Sequence, residues 1–327
     1  MRSPLLVSLV LLGCGAGRNP ALKMAAPPES TAATGAVAMP AYEPAPTGED
    51  YTDYGKNPWI ATAEDPLSTF AADVDTASYT IARRKLQEGT LPPPASVRVE
   101  EWVNYFHYSF PRAAQGTPFA LAMDAAPHPF EADRYVLRVG VGTKPKTVGE
   151  RKPSALVFLV DVSGSMSSPD KLPLAKQALH LLTDNLSEKD AVAIVTYAGA
   201  DRLVLPMTSI DHKDRIHAAI DHLESGGSTA MAAGIDTAYE LAAKWVRPGG
   251  ISRVIVLSDG DANVGPHSYQ DLLNIIESRA KAGVALSTIG FGTGNYKDTT
   301  MEQLADKGNG NNYYIDSLDA AKRIFAE

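Results

Sequence analysis

From Pro153 onward the chain alternates short, almost unbroken apolar runs with longer stretches in which apolar residues return every three or four positions. The runs Ala155 to Val160, Ala191 to Tyr197, Arg253 to Leu257 and Val284 to Gly290 are rich in β-branched residues, the pattern of strands buried on both faces. Between them, Leu172 to Leu186, His212 to Leu223, Ala230 to Trp245 and Tyr269 to Lys281 carry helical periodicity, and a shorter helix is predicted over Thr300 to Lys307. Arg202 to Pro206 and Tyr313 to Asp316 read as two further short strands. This alternation predicts an α/β fold, a Rossmann-like, doubly wound, mostly parallel sheet covered by helices on both sides. Ligands of such sheets sit at the carboxyl ends of the strands.

The chain before Pro153 follows a different pattern, and a small α+β module is predicted over residues 57–152. Asp75 and Thr76 stand as caps before a helix from Ala77 to Glu88, with Gly89 as its stop. After the break at Leu91-Pro92-Pro93-Pro94, a second helix from Arg98 to Tyr105 places Val99, Trp102, Val103 and Phe106 at helical spacing, which predicts a core stripe. Two extended pieces follow, Pro118 to Ala126 and Arg134 to Gly142. Residues 18–56 are rich in Ala and Pro and lack periodicity, so residues 14–56 are predicted to form a disordered tether.

Composition adds two exclusions. With a net charge of -8 and no aromatic-studded basic segment, the 327-residue chain is not expected to bind nucleic acid. Its single cysteine, Cys14, rules out a disulfide within the chain. That cysteine follows one arginine and an apolar stretch from Leu5 to Leu12 that is too short to span a bilayer. Leu11-Leu12-Gly13-Cys14 resembles the bacterial lipoprotein box, which implies a signal peptide over residues 1–13 and a lipid on Cys14. A cell-envelope location follows as an expectation, at the outer membrane or periplasmic face, because no acid follows Cys14.

The candidate chemistry lies where the first long strand ends. LVFLVDVSGSM places Asp161, Ser163 and Ser165 at a sheet edge, where their oxygens are costly to bury unused. Gly226-Gly227-Ser228-Thr229 and Ser258-Asp259-Gly260-Asp261 fall at the same edge. Together Asp161, Asp259, Ser163, Ser165 and Thr229 form an all-oxygen set suited to a hard divalent cation: Mg2+, with Mn2+ or Ca2+ as alternatives.

DVSGS, then Thr229, then Asp259 resembles the metal-ion-dependent adhesion site of von Willebrand factor A (vWA) domains, over residues 153–327. The resemblance implies that Ser163, Ser165 and Thr229 contact the ion and that Asp161 and Asp259 hold it directly or through water. It also implies a binding protein rather than an enzyme, with an Asp or Glu carboxylate of a protein partner completing the ion. EDPLSTFAADVDTASYTIARRKL from Glu64 and LPPPASVRVEEWVNYF from Leu91 narrow the likeness to bacterial YfbK-like vWA lipoproteins. In that family a further domain follows the A domain, so a chain ending at Glu327 reads as a fragment or a short member.

Other readings are weaker on residue grounds. A phosphohydrolase using Asp161 as nucleophile is the main enzymatic alternative, but its second acid would fall on Ser163. A scaffold with a purely structural ion is the other. SDGDANVG departs from a calcium loop at Val264 and Gln270, and His212, His217 and His222 are spaced around a helix rather than along it.

Overall fold

The structure is a computed structural model that describes residues 48–55, 57–69, 74–114, 116–143, 151–228, 231–261 and 269–326. Its contacts divide the chain into two units, one of which comprises Thr47–Asp53 and Val74–Glu327. In the other, the described residues hold a turn in which the N–H groups of Glu64 and Asp65 donate to the Ala61 carbonyl, and they expose Trp59 and Ile60.

Six strands make the main sheet of the larger unit: β3 (Ser154–Asp161), β4 (Ala191–Tyr197), β5 (Asp201–Ser209), β6 (Ile251–Ser258), β7 (Val284–Phe291) and β8 (Asn312–Ile315). Their spatial order is β5-β4-β3-β6-β7-β8, and only β5 is antiparallel to its neighbour. The predicted doubly wound sheet is therefore present. Alternate residues of β3 supply two separate cores. Leu156, Phe158 and Val160 face α3 (Leu172–Asn185) and α4 (Lys213–Asp221), whereas Val157 and Leu159 face α5 (Met231–Ala243) and α6 (Tyr269–Lys281). The helix α8 (Leu318–Ala326) adds Ala321 to the first core, and α7 (Asp298–Lys307) adds Leu304 to the second. Because β3 is central and parallel on both sides, its carboxyl end opens a crevice flanked by β4 and β6.

The first helix, α1 (Ala77–Gln87), runs along the β8 edge, where Ala77 and Ile81 pack with Tyr296, Met301 and Tyr314 in a third core. Thr76 stands at its N-cap without a side-chain bond to the helix, and the Asp75 carboxylate accepts the N–H of Asn312 at 2.9 Å, joining the start of α1 to β8. The expected apolar stripe of α2 (Val99–Tyr105) is also corrected: Val99, Val103 and Phe106 are exposed, Trp102 is half-buried, and the buried residue is Glu101. Aromatic contacts with Tyr79 of α1, which stacks on Tyr105 and meets Trp102 and Phe106 edge-on, and buried charge together fix this helix. Arg98, at its N-cap, forms ion pairs with Glu101 and with Asp298 of α7, all three being buried.

The tether prediction fails over residues 48–53. The Glu49 side chain has no solvent exposure and pairs with Arg84 at 3.0 Å and Lys85 at 2.6 Å, while its Oε1 accepts the N–H of Gly294 at 2.9 Å. Asp50 N–H donates to the Tyr296 carbonyl, and Lys297 Nζ reaches the Gly48 carbonyl at 2.6 Å. The polar composition of this stretch hid a strap held by buried charge, with Tyr51 packed against the third core.

β1 (Phe119–Pro127) and β2 (Tyr135–Thr143) form a separate antiparallel hairpin. Register puts Leu121, Met123, Leu137, Val139 and Val141 on one face, all exposed, while the Phe110 ring covers Gly140 on the other. Among the described residues no helix is long and apolar enough to cross a membrane. The signal peptide, Cys14 and most of the tether lie outside the described residues.

Candidate metal centre

Pairing between β3 and β4 continues one step past Asp161, where Val162 N–H donates to the Tyr197 carbonyl, and there the chain turns. The Asp161 carboxylate makes the turn: Oδ1 accepts Ser163 N–H at 2.9 Å, and Oδ2 accepts Ser258 Oγ–H at 2.9 Å and Tyr197 O–H at 3.2 Å. Asp161 is fully buried. Burial pushes its carboxyl above the usual range; bonds from Ser163 and Ser258 oppose this, and the nearby Asp259 charge adds to it.

Ser163 Oγ and Ser165 Oγ lie 3.0 Å apart. Each serine is tied to one carboxylate through its backbone: Ser163 N–H donates to Asp161 Oδ1, and the Ser165 carbonyl and Asp259 Oδ2 accept from the same Lys171 ammonium. The second loop comes alongside through Gly226 N–H to the Val162 carbonyl at 2.7 Å and Gly164 N–H to the Gly227 carbonyl at 3.1 Å. Gly227 has φ +90°, open to glycine at low cost, and brings its chain within contact of Ala198 and Gly199. Thr229, two residues on, lies outside the described residues.

Asp259 follows the last residue of β6. It has no exposure, and its Oδ2 accepts Lys171 Nζ at 2.9 Å and Asn295 Nδ2 at 3.0 Å while Oδ1 accepts Asp261 N–H at 3.1 Å. Burial alone would raise its carboxyl, but Lys171, Asn295 and Ser165 outweigh burial and hold it below the usual range. Two neighbouring buried acids are thus pushed in opposite directions by different partners.

The structure brings together Asp161, Ser163, Ser165 and Asp259 as read from the sequence, leaves Asp261 exposed, and adds three residues the sequence reading missed: Lys171, Asn295 and Tyr197. Only Lys171 left a sequence signal, as a cation in the turn after DVSGS. Gly292, at φ +85°, is where its stem passes: a Cβ there would stand 2.3 Å from Lys171 Cε. Among the described residues no group of three or more His, Cys, Asp or Glu could hold a metal, so any ion here must be held largely by hydroxyl oxygens. The donor set, oxygen throughout with two carboxylates, fits a hard divalent cation and not a soft one.

A doubly wound sheet whose central strand ends in a buried aspartate followed by two linked serines defines a domain of the von Willebrand factor A type. Residues 155–327 match the von Willebrand factor type A domain family, and the chain belongs to that family; residues 45–138 match a second family described as von Willebrand factor. The chain is 44% identical over 282 residues to the Escherichia coli (strain K12) protein YfbK, covering 84% of this chain and 49% of YfbK. A UPF0353 protein of Mycolicibacterium paratuberculosis is 29% identical over 53% of this chain and 58% of its own. The chain therefore spans about half the length of the curated relatives it matches. Among solved structures, a von Willebrand factor type A protein from Catenulispora acidiphila aligns with TM-score 0.46 and 20% identity, over 65% of this chain and 50% of that one.

Proposed function

We propose that this is a cell-envelope protein, held at the membrane by a lipid on Cys14, whose A domain binds a protein partner by way of a divalent cation. Ser163, Ser165 and Thr229 would hold the ion, with Asp161 and Asp259 behind them, and Mg2+ is the ion we favour. When bound, the ion supplies a Lewis-acidic position for an Asp or Glu carboxylate of the partner. The chain's own residues prepare that position. The single observation that carries the reading is the cluster after β3 and β6, in which the paired hydroxyls of Ser163 and Ser165 are brought together with two buried carboxylates, Asp161 and Asp259. Membership of the vWA family supports it. Both Asp161 oxygens are engaged by donors from Ser163, Ser258 and Tyr197, which favours a binding role over one as a nucleophile.

Calorimetry with Mn2+ and Mg2+ on the full chain tests this. Asp161→Ala and Thr229→Ala are each expected to weaken Mn2+ binding on the order of a hundredfold. A folded parent that takes up neither ion would overturn the reading.

A further inference from the structure

Nothing in the metal-binding reading requires a lysine in the centre, yet Lys171 is built into it. Its ammonium donates to three acceptors: Asp259 Oδ2 at 2.9 Å, the Ser165 carbonyl at 2.9 Å and Asn295 Oδ1 at 2.6 Å. The side chain is only 7% exposed and its partner Asp259 not at all. Its position is set by the backbone, since Lys171 is the N-cap of α3, and by the lane left open at Gly292. An ammonium has three protons, and all three are used inside the protein.

We propose that Lys171 is a tethered cation that sets the net charge of the metal centre, so that a divalent ion held there stays under-neutralised and selects an anionic group as its completing ligand. The proposal rests on the metal reading above and concerns what that site prefers. The hydroxyls of Ser163, Ser165 and Thr229 carry no charge. Asp161 and Asp259 contribute two negative charges, and Lys171 cancels one of them within hydrogen-bond distance. A divalent ion then keeps net positive charge, against which a neutral ligand or water competes poorly with a carboxylate. The same arrangement weakens binding of the ion alone, which couples ion and anionic partner: each is held better in the presence of the other. It also keeps Asp259 from standing as a buried, uncompensated charge in the metal-free domain.

The test compares Mn2+ binding by calorimetry, and Tm in EDTA and in Mn2+, for the parent chain, Lys171→Met, Lys171→Gln and Lys171→Arg. Methionine keeps the stem and removes the charge; glutamine removes the charge and keeps a donor for Asp259, so one neutral variant folds even where the other does not. Removing the unit charge hydrogen-bonded to Asp259 is expected to tighten Mn2+ binding about tenfold or more in the neutral variants. Their Tm in EDTA falls below that of the parent, and Mn2+ raises it by more than it raises the parent's. The arginine variant stays close to the parent in affinity. Neutral variants that are folded and bind Mn2+ no more tightly than the parent overturn the proposal and leave Lys171 a packing residue, with the metal site intact. Loss of Mn2+ binding in the folded parent itself is a separate result, which brings down the metal reading and this proposal with it.

Discussion

Arg98→Met is expected to lower the free energy of unfolding by about 3–5 kcal/mol, read as a shift of the urea midpoint at pH 7. The Arg98 guanidinium pairs with both Glu101 and Asp298, which are 4% and 0% exposed. It also lies 3.7 Å from Glu302. Methionine fills much of the volume but leaves two carboxylates buried without a counter-charge. Burial already pushes both acids above the usual carboxylate range against the pull of Arg98. Removing the arginine raises them further. Groups whose folded pKa lies above the unfolded one favour the native state at low pH and lose that contribution as pH rises through the folded value. The deficit of Arg98→Met should therefore shrink between pH 7 and pH 5. A loss independent of pH would show that the arginine acts through its packing rather than its charge.

The second large effect is expected at the strap. Glu49→Gln removes the carboxylate that meets Arg84, Lys85 and Gly294 N–H, and should cost about 3 kcal/mol because two cations then lose a buried partner. Arg84 keeps Glu88 at 3.3 Å, a pair that is largely exposed on the glutamate side and compensates little. The acid dependence has the opposite sign to that of Arg98→Met. Burial alone would raise the Glu49 carboxyl, but Lys85, Arg84, Gly294 N–H and Tyr51 hold it below its ordinary value. A depressed folded pKa gives stability that is present above the unfolded value, about 4.3, and is lost as pH falls below it. The parent should lose stability more steeply than Glu49→Gln on acidification below that point. Equal slopes in urea titrations from pH 5 to pH 3 would count against a charged Glu49 in the strap.

What the sequence revealed and what it hid divide along a physical line. Strands such as Ala155 to Val160 and Ala191 to Tyr197 were legible because a parallel strand covered on both faces must be apolar throughout. Asp161, Ser163, Ser165 and Asp259 were legible because polar groups at the end of such a strand need a use. Elements held by charge were not. α2 shows an apolar stripe at helical spacing, yet it docks through Arg98, Glu101 and its aromatic residues, and its Val99 and Val103 face solvent. Glu49 sits in a polar stretch between prolines and Lys171 in a serine-rich turn, and neither context distinguishes a buried ion pair from a solvated charge. Their partners, Arg84 and Asp259, lie 35 and 88 residues away along the chain, beyond the reach of any local pattern.

The strap also constrains the order in which the molecule can be built. Glu49 and Gly294 are 245 residues apart, and Arg98 and Asp298 are 200 apart. During synthesis the strap and α2 leave the ribosome long before β7 and α7 exist to receive them. At synthesis rates of about 5–20 residues per second, that interval lasts on the order of ten seconds or more. Throughout it, Arg98 lacks Asp298 and Glu49 lacks the Gly294 N–H, so neither ion-pair group is completed. The strap, made early, is thus among the last elements to lock into place. Its docking reports that the sheet behind it, with the aspartates of the metal centre at its edge, is complete.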